Sequence, residues 1–198
     1  MKTRATFLLY VLVLLPFVSV TAQADSDEVR TFSFSALAGV NAAQLDGDGL
    51  GGYDKLGLHL GIGASFGLSE RWSTGLELLY SQKGSQSELN PNATQQYIRL
   101  DYVEVPVYVS FAESDFRFIG GASYARLIDA EVDPFSPFAP GFFKDNDVCI
   151  LFGMDYVFSE RWRAHFRFTQ SVLNSIRDEI NADGLNSKHL TLRIGYVL

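Results

Sequence analysis

The chain is 198 residues long, 47% of them hydrophobic and 20% charged, with a mean hydropathy of +0.06. That is too apolar for a disordered polymer and too polar for a bundle of membrane-spanning helices, and a net charge of −7 lacks the electrostatic footprint of a nucleic-acid-binding protein. The single cysteine, Cys149, allows neither an intrachain disulfide nor a multi-cysteine metal cluster, while 17 glycines, 16 phenylalanines and 9 tyrosines favour short strands joined by turns.

Met1 to Ala24 carries the three elements of a secretory signal: Lys2 and Arg4 as the charged region, Phe7 to Val20 as the apolar stretch, and Ala22-Gln23-Ala24 as the small-residue cleavage site. Cleavage there would start the mature chain at Asp25, leave one domain over residues 25–198, and take the net charge from −7 to −9 through loss of Lys2 and Arg4. Beyond this segment no uninterrupted apolar run approaches the ~18 residues a spanning helix needs. The exported chain therefore belongs to the aqueous space or to a membrane β-barrel.

Eight strands are predicted. The first, Phe32 to Val40, alternates weakly. The second is unambiguous, with Leu56, Leu58, Leu60, Ile62, Ala64 and Phe66 interleaved with Gly57, His59, Gly61, Gly63, Ser65 and Gly67. A period of two held over a dozen residues is a strand with one apolar and one polar face. The third sets Trp72, Thr74, Leu76, Leu78 and Tyr80 against Ser73, Gly75, Glu77, Leu79 and Ser81. Val103 to Phe111, Phe116 to Tyr124 and Val148 to Phe158 supply three weaker strands. The seventh places Trp162, Ala164, Phe166 and Phe168 opposite Arg163, His165, Arg167 and Thr169, and the eighth places Leu190, Leu192, Ile194, Tyr196 and Leu198 opposite His189, Thr191, Arg193, Gly195 and Val197.

The connections alternate too. Short turns at 69–71, 113–115 and 159–161 fall between long segments at 41–54, 84–97, 129–145 and 175–187. In an up-and-down barrel every short turn then lies at the end holding both termini, the asymmetry of transmembrane barrels with short periplasmic turns and long extracellular loops. Phe66, Trp72, Phe111, Phe116, Phe158, Trp162 and Tyr196 flank that end, as an interfacial aromatic girdle requires. The expected fold is all-β, an eight-stranded antiparallel transmembrane barrel. Its runner-up is a soluble barrel of the lipocalin kind, with polar residues outside and apolar residues within.

The polar-facing set carries Glu77, Glu104, Asp155, Arg117, Arg163, Arg167 and Arg193. Eight strands leave a lumen just wide enough for side chains, so Arg163, Arg167 and Arg193 are expected to pair with the three acids and block conduction; the contrasting reading is a gated ion path. Pro106 has no N–H for the ladder and predicts a bulge or local break beside Glu104. His59, His165 and His189 share the lumen parity, and only His189, beside the loop end at Ser187, is placed to approach a lipid headgroup. No metal or cofactor site is expected, since no pair of these groups has chelating spacing. Asp46-Gly47-Asp48-Gly49 lacks the remaining ligands of a calcium loop and reads as a turn, and Asn92-Ala93-Thr94 is a sequon short enough to arise by chance. The segment 133–143 is different: Phe135, Phe138, Phe142 and Phe143 sit among Pro134, Pro137 and Pro140. It is too apolar to be simply solvated, so it either packs over the barrel mouth or presents a contact surface to a protein partner.

The stretch from Lys55 to Gly84 resembles the second hairpin of the PorT-like outer-membrane β-barrel family, and Leu100-Asp-Tyr-Val-Glu-Val-Pro-Val107 resembles its next strand. The resemblance implies the outer membrane of a Gram-negative cell, insertion by the barrel assembly machinery, lipid as the surrounding partner and no enzymatic activity; some relatives serve secretion or gliding. The chain departs from the common terminal Phe of such barrels in ending on Leu198, with Tyr196 on the same face. The expectation is a plugged barrel acting through extracellular loops as a structural or partner-binding protein. An outer-membrane lipid-modifying hydrolase is the alternative, although the His-x-Ser spacing of the lipid A deacylases is represented only by His189-Leu190-Thr191.

Overall fold

The computed structural model describes residues 32–46, 55–86, 97–134, 141, 143–172 and 186–198. The signal segment 1–24, most of the Asp46–Gly49 turn, the sequon and Phe135, Phe138 and Phe142 lie outside them.

Eight strands, β1 (Phe32–Asp46), β2 (Lys55–Gly67), β3 (Trp72–Gln86), β4 (Tyr97–Glu113), β5 (Phe116–Val132), β6 (Asn146–Val157), β7 (Trp162–Ser171) and β8 (Asn186–Val197), close in sequence order. Each neighbouring pair is antiparallel, and β8 pairs back onto β1 from Ser35↔Val197 to Asp46↔Asn186. Paired residues followed once round the wall run Phe34, Ala64, Leu76, Val107, Ala122, Ile150, Gln170 and Lys188. They return to β1 at Gln44, ten residues beyond the start. Ten steps of ~3.3 Å against eight strand spacings of ~4.8 Å set a strand tilt of roughly 40°. The shift is even, so the inward face of β8 meets the inward face of β1.

The outward parity set is the lipid face. Leu56, Leu58, Ile62, Leu76, Leu78, Phe118, Phe152, Phe166 and Leu192 all stand on the outer surface, with Leu56 70% and Phe152 58% exposed. In water this belt would drive aggregation; in hydrocarbon it is buried. That dressing is the inverse of a soluble ligand-binding barrel and sets the lipocalin-like alternative aside. At the short-turn end the aromatics meet around the circumference, with ring centroids 5.0 Å apart for Trp72–Phe111, 5.2 Å for Phe116–Tyr156 and 4.9 Å for Trp162–Tyr196. Both tryptophans of the chain lie in this one girdle. Reconstituted into bilayers, the protein is expected to show tryptophan emission quenched more by lipids brominated near the headgroup than by lipids brominated at the chain ends. The reverse order would place this end in the bilayer centre.

The strands run further toward the long connections than the alternation of hydropathy predicts. Backbone pairing reaches Asp46, Gln86 and Val132, and it starts at Tyr97, Asn146 and Asn186, so the first three connections contract to 47–54, 87–96 and 133–145, and the fourth shifts to 172–185. The wall here has changed its outer dressing. Tyr80 and Arg99 bind Asp101, at 2.9 and 2.8 Å, and Tyr124 and Arg126 bind Asn146, at 2.6 and 2.7 Å. Hydrogen-bond continuity carries the sheet past the level where apolar residues are required.

Two irregularities matter for the interior. Between Leu76↔Val107 and Leu79↔Glu104 the β3–β4 ladder is interrupted, the local break expected from Pro106. On the other side of β4, Asp101 pairs with Asp129 and Tyr102 with Leu127, leaving Ile128 as an extra residue. The bulge reverses parity in β5 and so keeps Ala130 and Val132 packed, with Leu127, against the interior cluster.

Candidate functional site

The only extended set of functional groups among the described residues is the lumen. At its waist Glu77 of β3 receives two bidentate guanidinium contacts: from Arg167 of β7, at 2.9 and 2.8 Å, and from Arg193 of β8, at 2.9 and 2.7 Å. All three side chains are buried. β3 and β7 stand four strands apart in a ring of eight, so the Glu77–Arg167 pair spans the barrel's full width. Arg193 also donates to His59 Nε2 at 3.2 Å, and the Arg167 guanidinium lies over the Tyr108 ring at 4.8 Å. Parallel two-point contacts of this kind fix orientation as well as charge.

Glycines make room for these long groups. Inward Gly39, Gly63 and Gly153 face Arg193, Glu77 and Arg167 across the ladder, and a Cβ added to any of them would fall within 3.2 Å of the facing residue. Gly75 sits against the Tyr108 ring, 2.3 Å from where its Cβ would be. The glycine-rich parity set is therefore a packing complement to the charged one.

Above the waist, Asn41 links its neighbour strand β8 to β3 by accepting from Thr191 Oγ1 and donating to Ser81 Oγ, each at 2.7 Å. Buried Lys83 forms an ion pair with Glu104 and lies over the Tyr102 ring at 4.9 Å. Asp147 accepts hydrogen bonds from Ser171 and, at 3.3 Å, from the Cys149 thiol. Toward the long-connection end an apolar cluster of Ile98, Leu100, Tyr102, Ala125 and Phe143 is buried in the interior. Below the waist, Asp155 lies 2.7 Å from His165 Nδ1. The interior retains cavities of about 20 Å³ near Asp155 and about 10 Å³ near His189, room for roughly one water each.

This pairing differs from the one expected in three places. Glu104 is bound by Lys83, not by an arginine; Asp155 is bound by His165; and Arg163 and Arg117 make no hydrogen bond or ion pair among the described residues. Lys83 was within reach of the sequence, since the inward parity of β3 continues two residues past Ser81, where the hydropathy signal ends. His189 is 1% exposed and lies in the interior with Thr191 and Glu104, because its parity, not its nearness to a loop, decides where it points. It does not approach lipid. Of the four loop phenylalanines the structure places Phe143, 1% exposed inside the barrel mouth.

The sequence profile of the Outer membrane protein beta-barrel domain matches residues 10–197. Among solved structures, the chain is similar to Neisserial surface protein A, with 14% identity over 83% of this chain and 96% of that one and a TM-score of 0.51. It is also similar to Ail, the attachment invasion locus protein of Yersinia pestis (12% identity, 85% and 99% coverage, TM-score 0.47), and to OprG from Pseudomonas aeruginosa (12%, 87% and 98%, TM-score 0.42). Identities this low speak to the fold alone. No curated protein sequence matches the chain.

Proposed function

The chain belongs to the Outer membrane protein beta-barrel domain family and is a Gram-negative outer-membrane barrel, and from that premise we propose a closed, non-catalytic barrel that acts through its extracellular loops. The observation that supports closure most strongly is Glu77 clasped by Arg167 and Arg193 across the waist. A hydrated ion crossing there must break both of these doubly hydrogen-bonded pairs or pass beside them through cavities of water size. Glu104–Lys83 and the Phe143 cluster add two further layers on the same axis.

In the orientation of bacterial barrels the three short turns face the periplasm and the connection 133–145 faces outward. Phe143 ties one end of that connection into the barrel mouth. The apolar composition of 134–142, with Phe135, Phe138 and Phe142 among its prolines, supports its use as a contact for a protein partner. The partners during biogenesis are the barrel assembly machinery and outer-membrane lipid. The narrower kinship with PorT-like barrels, carried by 55–84 and 100–107, extends the proposal to an accessory role in secretion.

Planar-bilayer recording tests the closure. The wild-type protein is expected to give no persistent single-channel current. Large, long-lived openings would replace the closed barrel with a transport protein.

A further inference from the structure

The lumen opens at its short-turn end into a vestibule of about 310 Å³, bounded by Ser33, Ser65, Ser69, Ser73, Arg117 and Arg163, with exposed Glu70 and Arg71 of the first short turn at its rim. Its charges are unbalanced. Two carboxylates, Glu77 and Asp155, lie in the lower half of the lumen with four guanidiniums, and Glu77 is saturated by Arg167 and Arg193. Asp155, opposite Arg117 in the β5–β6 ladder, is hydrogen-bonded by His165, and its charge acts on Arg163, Arg167 and Arg193 together. Arg117 and Arg163 line the same recess. Arg163 Nε is buried without a hydrogen-bond partner. Arg71, at the vestibule rim, is already held by Glu113 at 2.9 Å.

The hydroxyls of the wall supply what two guanidiniums lack. Ser33 bonds to Ser65 at 3.2 Å and Ser73 to Ser110 at 2.6 Å. Each such pair uses one O–H internally and leaves the other to donate. Two forked cations and a set of hydroxyl donors in a water-accessible recess match a carboxylate or phosphate group, which accepts several short charge-assisted bonds at once.

We propose that this vestibule binds a single oxyanion group between Arg117 and Arg163, with the serine hydroxyls completing its hydrogen bonds. The group has two sources: a free anion of the compartment, or the carboxylates of Asp25, Asp27 and Glu28 of this chain. The latter precede Ser33 by eight residues or fewer, a tether of at most about 29 Å.

The test titrates the full chain, refolded in a nonionic detergent, with inorganic phosphate, followed by calorimetry and by the arginine Nε–H resonances. Heat-modifiable gel migration checks that every variant is folded. Saturable binding to the wild type that weakens about tenfold or more in R117Q/R163Q, and returns in R117K/R163K, supports a free-anion site. Binding that emerges only in D25N/D27N/E28Q, and is lost when R117Q/R163Q is added, assigns the site to the chain's own acidic segment. If the double arginine variant does not fold, R163Q alone carries the comparison. Absence of saturable binding in both the wild type and the acid-neutralised chain overturns the proposal, as does phosphate binding that arginine substitution leaves unchanged.

Discussion

Replacing Glu77 by Ala is expected to lower the unfolding free energy of the reconstituted barrel by about 3 to 5 kcal/mol, because it leaves two buried guanidiniums without the carboxylate that pairs with both. Urea unfolding in vesicles, followed by gel migration and tryptophan emission, measures the change. Glu77→Gln keeps the shape but loses the charge, so it is expected to fall between Ala and wild type. A triple change, Glu77→Leu with Arg167→Met and Arg193→Met, should recover most of the loss, since a buried ionic triad replaced by apolar side chains of similar volume is often neutral or stabilising. The same E77A protein should conduct more readily in a bilayer, as the waist is no longer held shut. A loss below about 1 kcal/mol would mean that water already screens the triad and that the waist is not a dry plug.

Phe143→Ala is expected to cost a further large amount, about 3 to 5 kcal/mol, by opening a cavity among Ile98, Leu100, Tyr102 and Ala125. The contrast that gives this meaning is the triple change Phe135→Ser, Phe138→Ser and Phe142→Ser. If 134–142 is a tethered contact surface, these three alter stability by less than about 0.5 kcal/mol while removing any protein that co-purifies from crosslinked outer membranes. If they lower stability as Phe143→Ala does, the whole aromatic segment packs on the barrel and the partner reading fails. Protease added to intact cells reports orientation independently. Cutting within 133–145 is expected, and cutting confined to the short turns at 69–71, 113–115 and 159–161 would invert the topology.

The waist explains why a charge-bearing lumen coexists with a glycine-rich one. Each long inward group crosses the axis, so the wall opposite or beside it must be small. Gly39 beside Arg193 and Gly153 beside Arg167 meet that need at positions where any Cβ would press on backbone. Filling of this kind leaves little free volume through the centre and concentrates it at the short-turn vestibule.

The eight strands, their inward and outward faces, the three short turns and the aromatic girdle are legible in the sequence because each is a local property. A period of two is read from neighbours along the chain, and a membrane rewards it at every step. Leu56 through Ile62 and Trp72 through Leu78 declare their face without reference to any partner. The partners of the inward charges are not local. Glu77 meets Arg167 ninety residues away, at a level set by the register of every ladder between them and by the ten-residue stagger of closure. Parity places a residue inside the barrel; only the closed register decides which layer it occupies, and so Glu104 takes Lys83 and Asp155 takes His165. The upper ends of the strands escaped the hydropathy pattern for a related reason. There the wall stands clear of lipid, and β-pairing continues on backbone hydrogen bonds that no side-chain alternation records.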